Sequence, residues 1–358
     1  MKTFEINTKK NKRKHLLKTA VLATLGSSAA LLALNFGLSE LTARNGQHVR
    51  DYYQFMAEVS QPNIDYKTAY FNPTSQYTGT FHVDQTKDIA GIEVPYETLE
   101  LPYSLRPLFG GGGQSSGGYS DKKGTATYTY GGGYKMPHFF NTAYQYKGES
   151  YHQLTQDISL LPQMSGQAVE MAVTFDKPYT FEEIAELVPN NLKINWYWIG
   201  TQSNNNTAGL NRDLFGFEGD PDTPSSYQQQ QEDEKNTKGM TAEEIETYYK
   251  DRVGQKTTSA REGFANSYSF FVAYLNQVLN KGWLGSTYGG PDGEQMSTSK
   301  DVETYLKANP DAQTAKFAGV ILTGRAENFS SLEKADWIFG SNIGHHVQIQ
   351  PYHTLDVE

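Results

Sequence analysis

The sequence predicts an α+β fold behind a single N-terminal transmembrane helix, and three observations carry that prediction. The first is Thr19–Ser39, a run without a charged residue. As a helix rising 1.5 Å per residue it covers about 31 Å, close to the hydrocarbon core of a bilayer. The second is a strand–helix–strand pattern over Ala168–Ile199, and the third is its repetition over Lys316–Gln350. Two such units separated by inserted helices predict an α/β sandwich, with a ferredoxin-like arrangement as one solution. A small β-rich part is expected ahead of the sandwich.

The flanks of the apolar run set its orientation. Lys2, Lys9, Lys10, Lys12, Arg13, Lys14 and Lys18 precede it against the single acid Glu5, whereas Glu40, Arg44, Arg50 and Asp51 follow as a balanced mixture. The positive-inside bias puts residues 1–18 in the cytoplasm as a basic tail, residues 19–39 in the membrane and the rest outside the cell membrane. Small residues around Ser28–Ala30 would also suit a cleaved signal peptide, but Leu31, Leu32, Leu34, Phe36 and Leu38 carry the apolar character past that point. The longer run favours a retained anchor. Within it, Ala23, Gly26, Ser27 and Ala30 form a small-xxx-small arrangement that would let a second helix approach closely. Such spacing also arises by chance in alanine-rich spans.

Composition narrows the function classes. The net charge of −9 becomes more negative for the body once the basic tail is set aside. That argues against nucleic acid as a partner and leaves the tail to lie on anionic headgroups. The absence of cysteine excludes disulfides, thiolate metal sites, cysteine nucleophiles and an acylated lipoprotein cysteine. An exported chain without disulfides fits a Gram-positive envelope. The 24 Tyr and 18 Phe suit strands with half-exposed faces.

A helical stripe over residues 40–60 ends before Pro62, and short strands are expected at Ala69–Phe71, Tyr77–Val83 and Gly91–Val94. Residues 109–134 are glycine-rich and read as a loop or linker, since no Gly-Lys-Ser/Thr ending or strand-to-helix context supports a phosphate cradle. In the first repeated unit, Val169, Met171, Val173 and Phe175 alternate with polar or small residues, which predicts a half-buried strand. Thr180 and Glu183 have capping-box spacing and open a helix with Ile184, Ala185 and Val188 inward. Leu192, Ile194, Trp196 and Trp198 then alternate in a strand, with Tyr197 and Ile199 on its reverse side. Residues 203–239 read as an exposed acidic insertion within a domain spanning 135–358. Thr241 and Glu244 cap a short helix over Ala242–Asp251. A longer helix over Arg261–Lys281 buries Phe264, Tyr268, Phe271 and Leu275 and stops at Gly282. A short helix near Lys300–Lys307 precedes the second unit.

No catalytic constellation emerges, and no enzyme, cofactor or metal is expected. His345 and His346 are adjacent on a strand and point to opposite sides; His345 is expected inward and His346 outward. Gly340-Ser341-Asn342-Ile343-Gly344 has its serine one place early for a nucleophile elbow, and Ser297–Lys300 lacks the companion motifs of its class. Trp196, Tyr197 and Trp198 would suit a groove for wall polymer or peptide, although core packing is the ordinary role of alternating strand aromatics. A cell-envelope binding protein is therefore the alternative function.

The segments "VEMAVTFDKPYTFEEIAELV" and "LKINWYWIGT" within Leu161–Thr201, and "FAGVILTGRAENFSSLEKADWIFGSNIGHHV" at Phe317–Val347, resemble the C-terminal domain of sigma factor regulators. Phe175-Asp176, Trp196, Trp198 and Gly319–Gly324 carry the likeness. "LLALNFGLSELTARNGQHVRDYYQFMAEVSQPNI" looks like the membrane-spanning N-terminal domain paired with it, making residues 40–108 the N-terminal-like region. The resemblance implies a membrane-anchored anti-sigma factor or co-regulator of an extracytoplasmic-function sigma factor, with an outer sensory domain. The short tail lacks the cysteine-based zinc motif of some anti-sigma factors and is small for a standard interface. Binding is expected either directly or through a second membrane protein.

Overall fold

The computed structural model describes residues 2–106, 117–120, 127–131, 134–146, 153–201, 214–219, 235–241, 244–245, 260–284, 287–289 and 295–357. The chain divides into two compact units, Met1–Arg50 with Tyr70–His82 and Glu100–Gly112, and Asp51–Ala69 with Val83–Leu99 and Gly113–Glu358. Helix α1 (Lys2–Ser60) and strands β1 (Asp65–Ser75), β2 (Thr78–Ile89) and β3 (Ile92–Ser104) contribute residues to both.

In the first unit, residues 11–37 of α1 are exposed throughout, and burial begins only at Leu38, Ser39 and Thr42. The strands form a sheet of order β1-β2-β3. Phe81 and Leu101 are buried in it, and the Phe71 ring lies 5.1 Å from Phe81 and 5.7 Å from Tyr103. The Tyr103 ring fits only because glycine lies on either side of it. A Cβ at Gly46 would come within 3.1 Å of the ring, and one at Gly79 within 2.3 Å. Asn45 Nδ2 donates to the carbonyl of Ser104 at 2.9 Å.

The second unit is built on a five-stranded antiparallel sheet. Its strands are β7 (Gln167–Thr180), β8 (Lys193–Trp198), β9 (Gly216–Phe217), β12 (Lys316–Arg325) and β13 (Ile338–Gln348), in the order β13-β7-β12-β8-β9. Because β7 and β8 both run antiparallel to β12, they are parallel to each other; β12 and β13 are likewise parallel about β7. The two strand–helix–strand units thus interleave. Their connections are short, α2 (Phe181–Leu187) and a 3-10 helix at Ala326–Leu332, whereas the long α3 (Ala260–Asn280) and α4 (Thr298–Ala308) lie between β8 and β12. The fold is α+β as expected, and α3, the longest helix between strands of this sheet, is not one of those two connections.

One face of the sheet carries the main core, in which Val169, Met171, Val173 and Phe175 pack with Phe264, Phe271, Leu275 and Phe317. The last turns of α1 supply Phe55 and Val59 to this core, and the Phe55 ring stands 5.3 Å from Tyr274 and 5.9 Å from Trp283. The capping box of α2 is present, with Thr180 N–H on Glu183 Oε2 at 2.8 Å and Glu183 N–H on Thr180 Oγ1 at 3.3 Å. α3 stops where Gly282 adopts φ +66°, a conformation that costs glycine little.

Several expectations are corrected. Strand β7 is not half-buried, because its second face is also covered: Ala172, Trp196, Trp198 and Ile321 pack there with Phe139 and Leu214. Trp196, Tyr197 and Trp198 are 3%, 4% and 2% exposed, so they line no groove. The strands after α1 are longer than their apolar fragments, β2 running on through buried Gln85 and Lys87. Within the glycine-rich interval expected as loop, β4 (Gly117–Ser120), β5 (Thr127–Gly131) and β6 (Tyr134–Met136) pair as a small antiparallel sheet. Backbone pairing there does not need apolar alternation, which is why composition misses it. The acidic insertion includes buried Leu214, Phe215 and Phe217, with β9 pairing on β8; its residues 203–213 and 220–234 lie outside the described residues. So does most of the helix expected over Ala242–Asp251, although Thr241 N–H does bond Glu244 Oε2 at 2.7 Å. A two-strand pair, β10 (Thr287–Gly289) with β11 (Gln295–Ser297), precedes α4.

Candidate functional site

The most unusual side chain in the second unit is Glu170, a carboxylate with 0% exposure near the start of β7. Two features of the neighbouring strands make room for it. On one side β13 bulges: Ile343 pairs with Met171 and His346 with Val169, so Gly344 and His345 together face Glu170 alone. A Cβ on Gly344 would meet Glu170 Oε2 at 2.3 Å, so glycine is what lets the carboxylate sit there. On the other side Thr323 of β12 is its partner in register.

Every approach to that carboxylate is filled by a donor. Lys87 Nζ of β2 reaches Oε1 at 2.6 Å, Asn63 Nδ2 reaches the same oxygen at 2.9 Å, and the backbone N–H of His345 donates to Oε2 at 2.9 Å. The Lys87 side chain is itself only 3% exposed. Its ammonium lies 5.3 Å from the centre of the Tyr96 ring. A buried ion pair gains little net stability over an apolar pair, but removing one partner strands the other charge in a poor solvent for it.

The network continues outward from Asn63, which sits just beyond the end of α1 in a left-handed conformation with φ 52°. Its Nδ2 also donates to the Asp88 carbonyl at 3.0 Å, and its Oδ1 accepts from Asn195 Nδ2 at 2.8 Å. Asn195 is the extra residue of a second bulge, since Ile321 pairs with Trp196 and Leu322 with Ile194. Its Oδ1 accepts from Thr323 Oγ1 at 2.7 Å. Asp88 in turn accepts from Lys193 Nζ at 2.6 Å, and Lys193 donates equally to Asp356 at 2.6 Å. Burial opposes the charge on Lys193, yet the bonds to Asp356 and Asp88 outweigh it and raise its pKa above the ordinary lysine value.

The segment leaving α1 is held beside this network by further polar contacts. Gln85 Nε2 donates to Gln61 Oε1 at 3.0 Å, and Tyr66 O–H donates to the Tyr53 carbonyl at 3.2 Å. The space left next to Lys87, lined in part by Ser60, Gln61, Pro62 and Ile64, is about 20 Å³. That is room enough for water. The arrangement is a joint between segments, with its charges paired with one another.

Two titratable groups beside the joint are perturbed. Burial lowers the His345 pKa to about 4, with Lys87 and His346 adding to the effect and Glu170 opposing it. Burial likewise lowers Lys135 to about 8 against the pull of Asp157 and Glu170. Lys135 Nζ donates to Asn342 Oδ1 at 2.8 Å and to the carbonyl of Ile343. His345 is half-buried with the Tyr134 ring 4.2 Å away, and His346 is exposed, as the strand alternation predicts. Among the described residues no group of three or more His, Asp or Glu is placed to hold a metal.

The residues singled out in the sequence lie elsewhere. Ala23, Gly26, Ser27 and Ala30 are exposed on one side of α1, and nothing comes within 4 Å of a Cβ built on Gly26. Sequence reading missed Lys87 and Glu170 because a charged residue in a strand is ordinarily assigned to a solvent face. The usable signal is register. Phe81, Val83, Gln85, Lys87 and Ile89 are spaced by two and all are buried, so the strand continues straight through its polar members.

The fold defines an α+β protein with, among the described residues, one helix, near the N-terminus, long and apolar enough to span a membrane. The chain belongs to the sigma factor regulator family: the model of the sigma factor regulator N-terminal domain matches residues 7–94, and that of the C-terminal domain matches residues 161–345. This family is regulatory rather than enzymatic in kind. No curated protein and no solved structure matches the chain.

Lys87→Met should lower unfolding stability by about 3–5 kcal/mol, because it leaves a buried carboxylate without its cation. The double variant Lys87→Met with Glu170→Gln should cost less than Lys87→Met alone, as denaturant titration would show; an equal or greater loss would mean that charge pairing is not what the site requires. The His345 imidazole also makes a pH prediction. The unfolded chain takes up a proton near the ordinary value of 6.5 and the folded chain only near 4. Its contribution is complete above about pH 6.5 and declines as the pH falls towards 4. His345→Gln should therefore show a shallower loss of stability over that window than the parent chain, and parallel curves would contradict the assignment.

Proposed function

We propose that this chain is a single-pass membrane regulator, an anti-sigma factor or co-regulator, of an extracytoplasmic-function sigma factor. Its N-terminus is cytoplasmic and its body is an outer domain that senses or relays the state of the envelope. The observation that carries the reading is α1 itself. In a sigma factor regulator, the uncharged and uncovered stretch of this helix follows a strongly basic flank, which the positive-inside rule assigns to the cytoplasm.

The geometry at the far end of α1 supports a relay. Phe55 and Val59 belong to the core of the second unit, and Asn63 belongs to the buried network. A change in the outer sheet that alters this grip would bias the helix between two states, provided that contacts differ in the two. Towards the cytoplasm, the sigma factor is bound either directly or through a second membrane protein seated on Ala23, Gly26, Ser27 and Ala30. The alternative of an envelope binding protein loses its best feature, because Trp196, Tyr197 and Trp198 are core residues.

Purification of the full chain from membranes in mild detergent should bring down a sigma factor, with or without a membrane partner. Gly26→Leu combined with Ala30→Leu should reduce that recovery and raise sigma-dependent transcription. If no sigma factor is recovered, the proposed function fails. If the double variant inserts normally and leaves both recovery and transcription unchanged, the helix face is not the docking surface.

A further inference from the structure

We infer that the turn between β1 and β2 is a second membrane contact, resting on the phospholipid headgroups beside the span. The inference builds on the proposed anchoring of α1 in the membrane and adds a surface that the anchoring does not require.

The uncharged stretch of α1 ends at Ser39, and one side of the helix is covered from about there on: Leu38 and Ser39 are half-buried and Thr42, Asn45, Gly46 and Val49 are buried. The Tyr103 ring fixes the strands against the helix, because it lies over Gly46 on one side and Gly79 on the other. Gly46 stands about 10 Å above Ser39 at the helical rise. Strand β3 descends from there, since the next carbonyl, that of Ser104, accepts from the amide of Asn45. Strands β2 and β3 are joined by the two-residue turn Ala90–Gly91, with φ 58° and 93°, and are therefore antiparallel. The beginning of β2 thus points the same way as the end of β3. From Gly79 back to Gln76 is three residues, about 10 Å at the strand rise. The turn returns to the level of Ser39, where the headgroup layer, roughly 5–7 Å deep on each side of the hydrocarbon, begins.

The chemistry of the tip suits that layer. Thr74, Ser75, Gln76, Tyr77 and Thr78 carry no charge and offer hydroxyl and amide donors to phosphate and ester oxygens. Thr74, Ser75, Gln76 and Thr78 are exposed and Tyr77 is half-buried. The tip is also braced, for Thr78 Oγ1 lies 2.9 Å from Thr74 Oγ1 and 2.7 Å from Ser75 Oγ. Tyrosine is enriched at membrane interfaces, where its ring and hydroxyl meet different media. A β-hairpin beside the span would oppose rotation and tilting of α1, which a lone helix does not.

The absence of cysteine makes the test direct, because a single introduced cysteine takes a fluorophore at one place. The full chain is reconstituted in phosphatidylcholine–phosphatidylglycerol vesicles, with the label at Gln76→Cys or at Leu31→Cys. Nitroxide lipids labelled at the headgroup should quench Gln76→Cys more strongly than lipids labelled deep in the acyl chain, and the order should reverse for Leu31→Cys. Quenching of Leu31→Cys as expected, with none at Gln76→Cys, would overturn the hairpin contact and leave the anchor standing. Deeper quenching at Gln76→Cys by acyl-chain nitroxides would overturn headgroup contact in favour of insertion. Failure of both sites to quench would overturn the anchor and the contact together.

Discussion

A carboxylate withdrawn from water has to be met by donors on both oxygens, and much of the second unit is arranged around meeting that demand at Glu170. Strand β13 bulges and places a glycine where a Cβ would collide with the carboxylate. Strand β8 bulges at Asn195, whose side chain links Thr323 to Asn63. Strand β2 holds a lysine at an inward position, and Asn63 accepts a left-handed backbone. Each of these is a local irregularity with some cost of its own. Together they satisfy one another, which is the condition under which a buried polar network specifies a single arrangement. An apolar pair in place of Lys87 and Glu170 would be at least as stabilising, but it would not fix which segments meet or in what register.

The segments that meet are the consequential part. Asn63 follows α1 directly, Lys87 and Asp88 belong to β2, and Glu170, Asn195 and Thr323 belong to three strands of the large sheet. The same exit from α1 is packed by Phe55 and Val59 in the apolar core. On the proposed reading, an outer domain communicates with a sigma factor through this helix, and the polar joint supplies a place where the grip can change in a discrete step. Hydrophobic contacts at Phe55 are graded by comparison, since they tolerate small displacements. The tip of the β1–β2 turn would give the same helix a second reference point at the lipid surface.

Much of this was legible in the sequence wherever apolar residues carried the pattern. The uncharged run, both strand–helix–strand units, the capping box at Thr180 and Glu183 and the stop at Gly282 all follow from periodicity and terminal residues. The strands of the glycine-rich interval did not, because backbone pairing leaves little trace in composition. Strand β7 reads as having a wet face, because Glu170 and Thr174 alternate with Val169, Met171, Val173 and Phe175. That inference assumes a charged residue faces solvent, and it fails when a second segment arrives with a cation. Strand β2 shows the same failure from the other side: the expected strand Tyr77–Val83 stops short of Gln85 and Lys87, whereas the register continues through both to Ile89. The joint could have been suspected only by pairing those two violations, which lie 83 residues apart. Family resemblance located the domains but says nothing of the network that joins them.

Amide hydrogen exchange on the full chain in membranes, comparing the parent with Lys87→Met, bears most directly on whether the buried pair fastens the exit of α1 to the sheet. If it does, exchange should quicken together in Gln61–Tyr66 and in the bulge around His345, while the strand pairing of β12 with β8 stays protected. Faster exchange around His345 with Gln61–Tyr66 unchanged would contradict the account, because the exit of the helix would then be held by its apolar contacts alone.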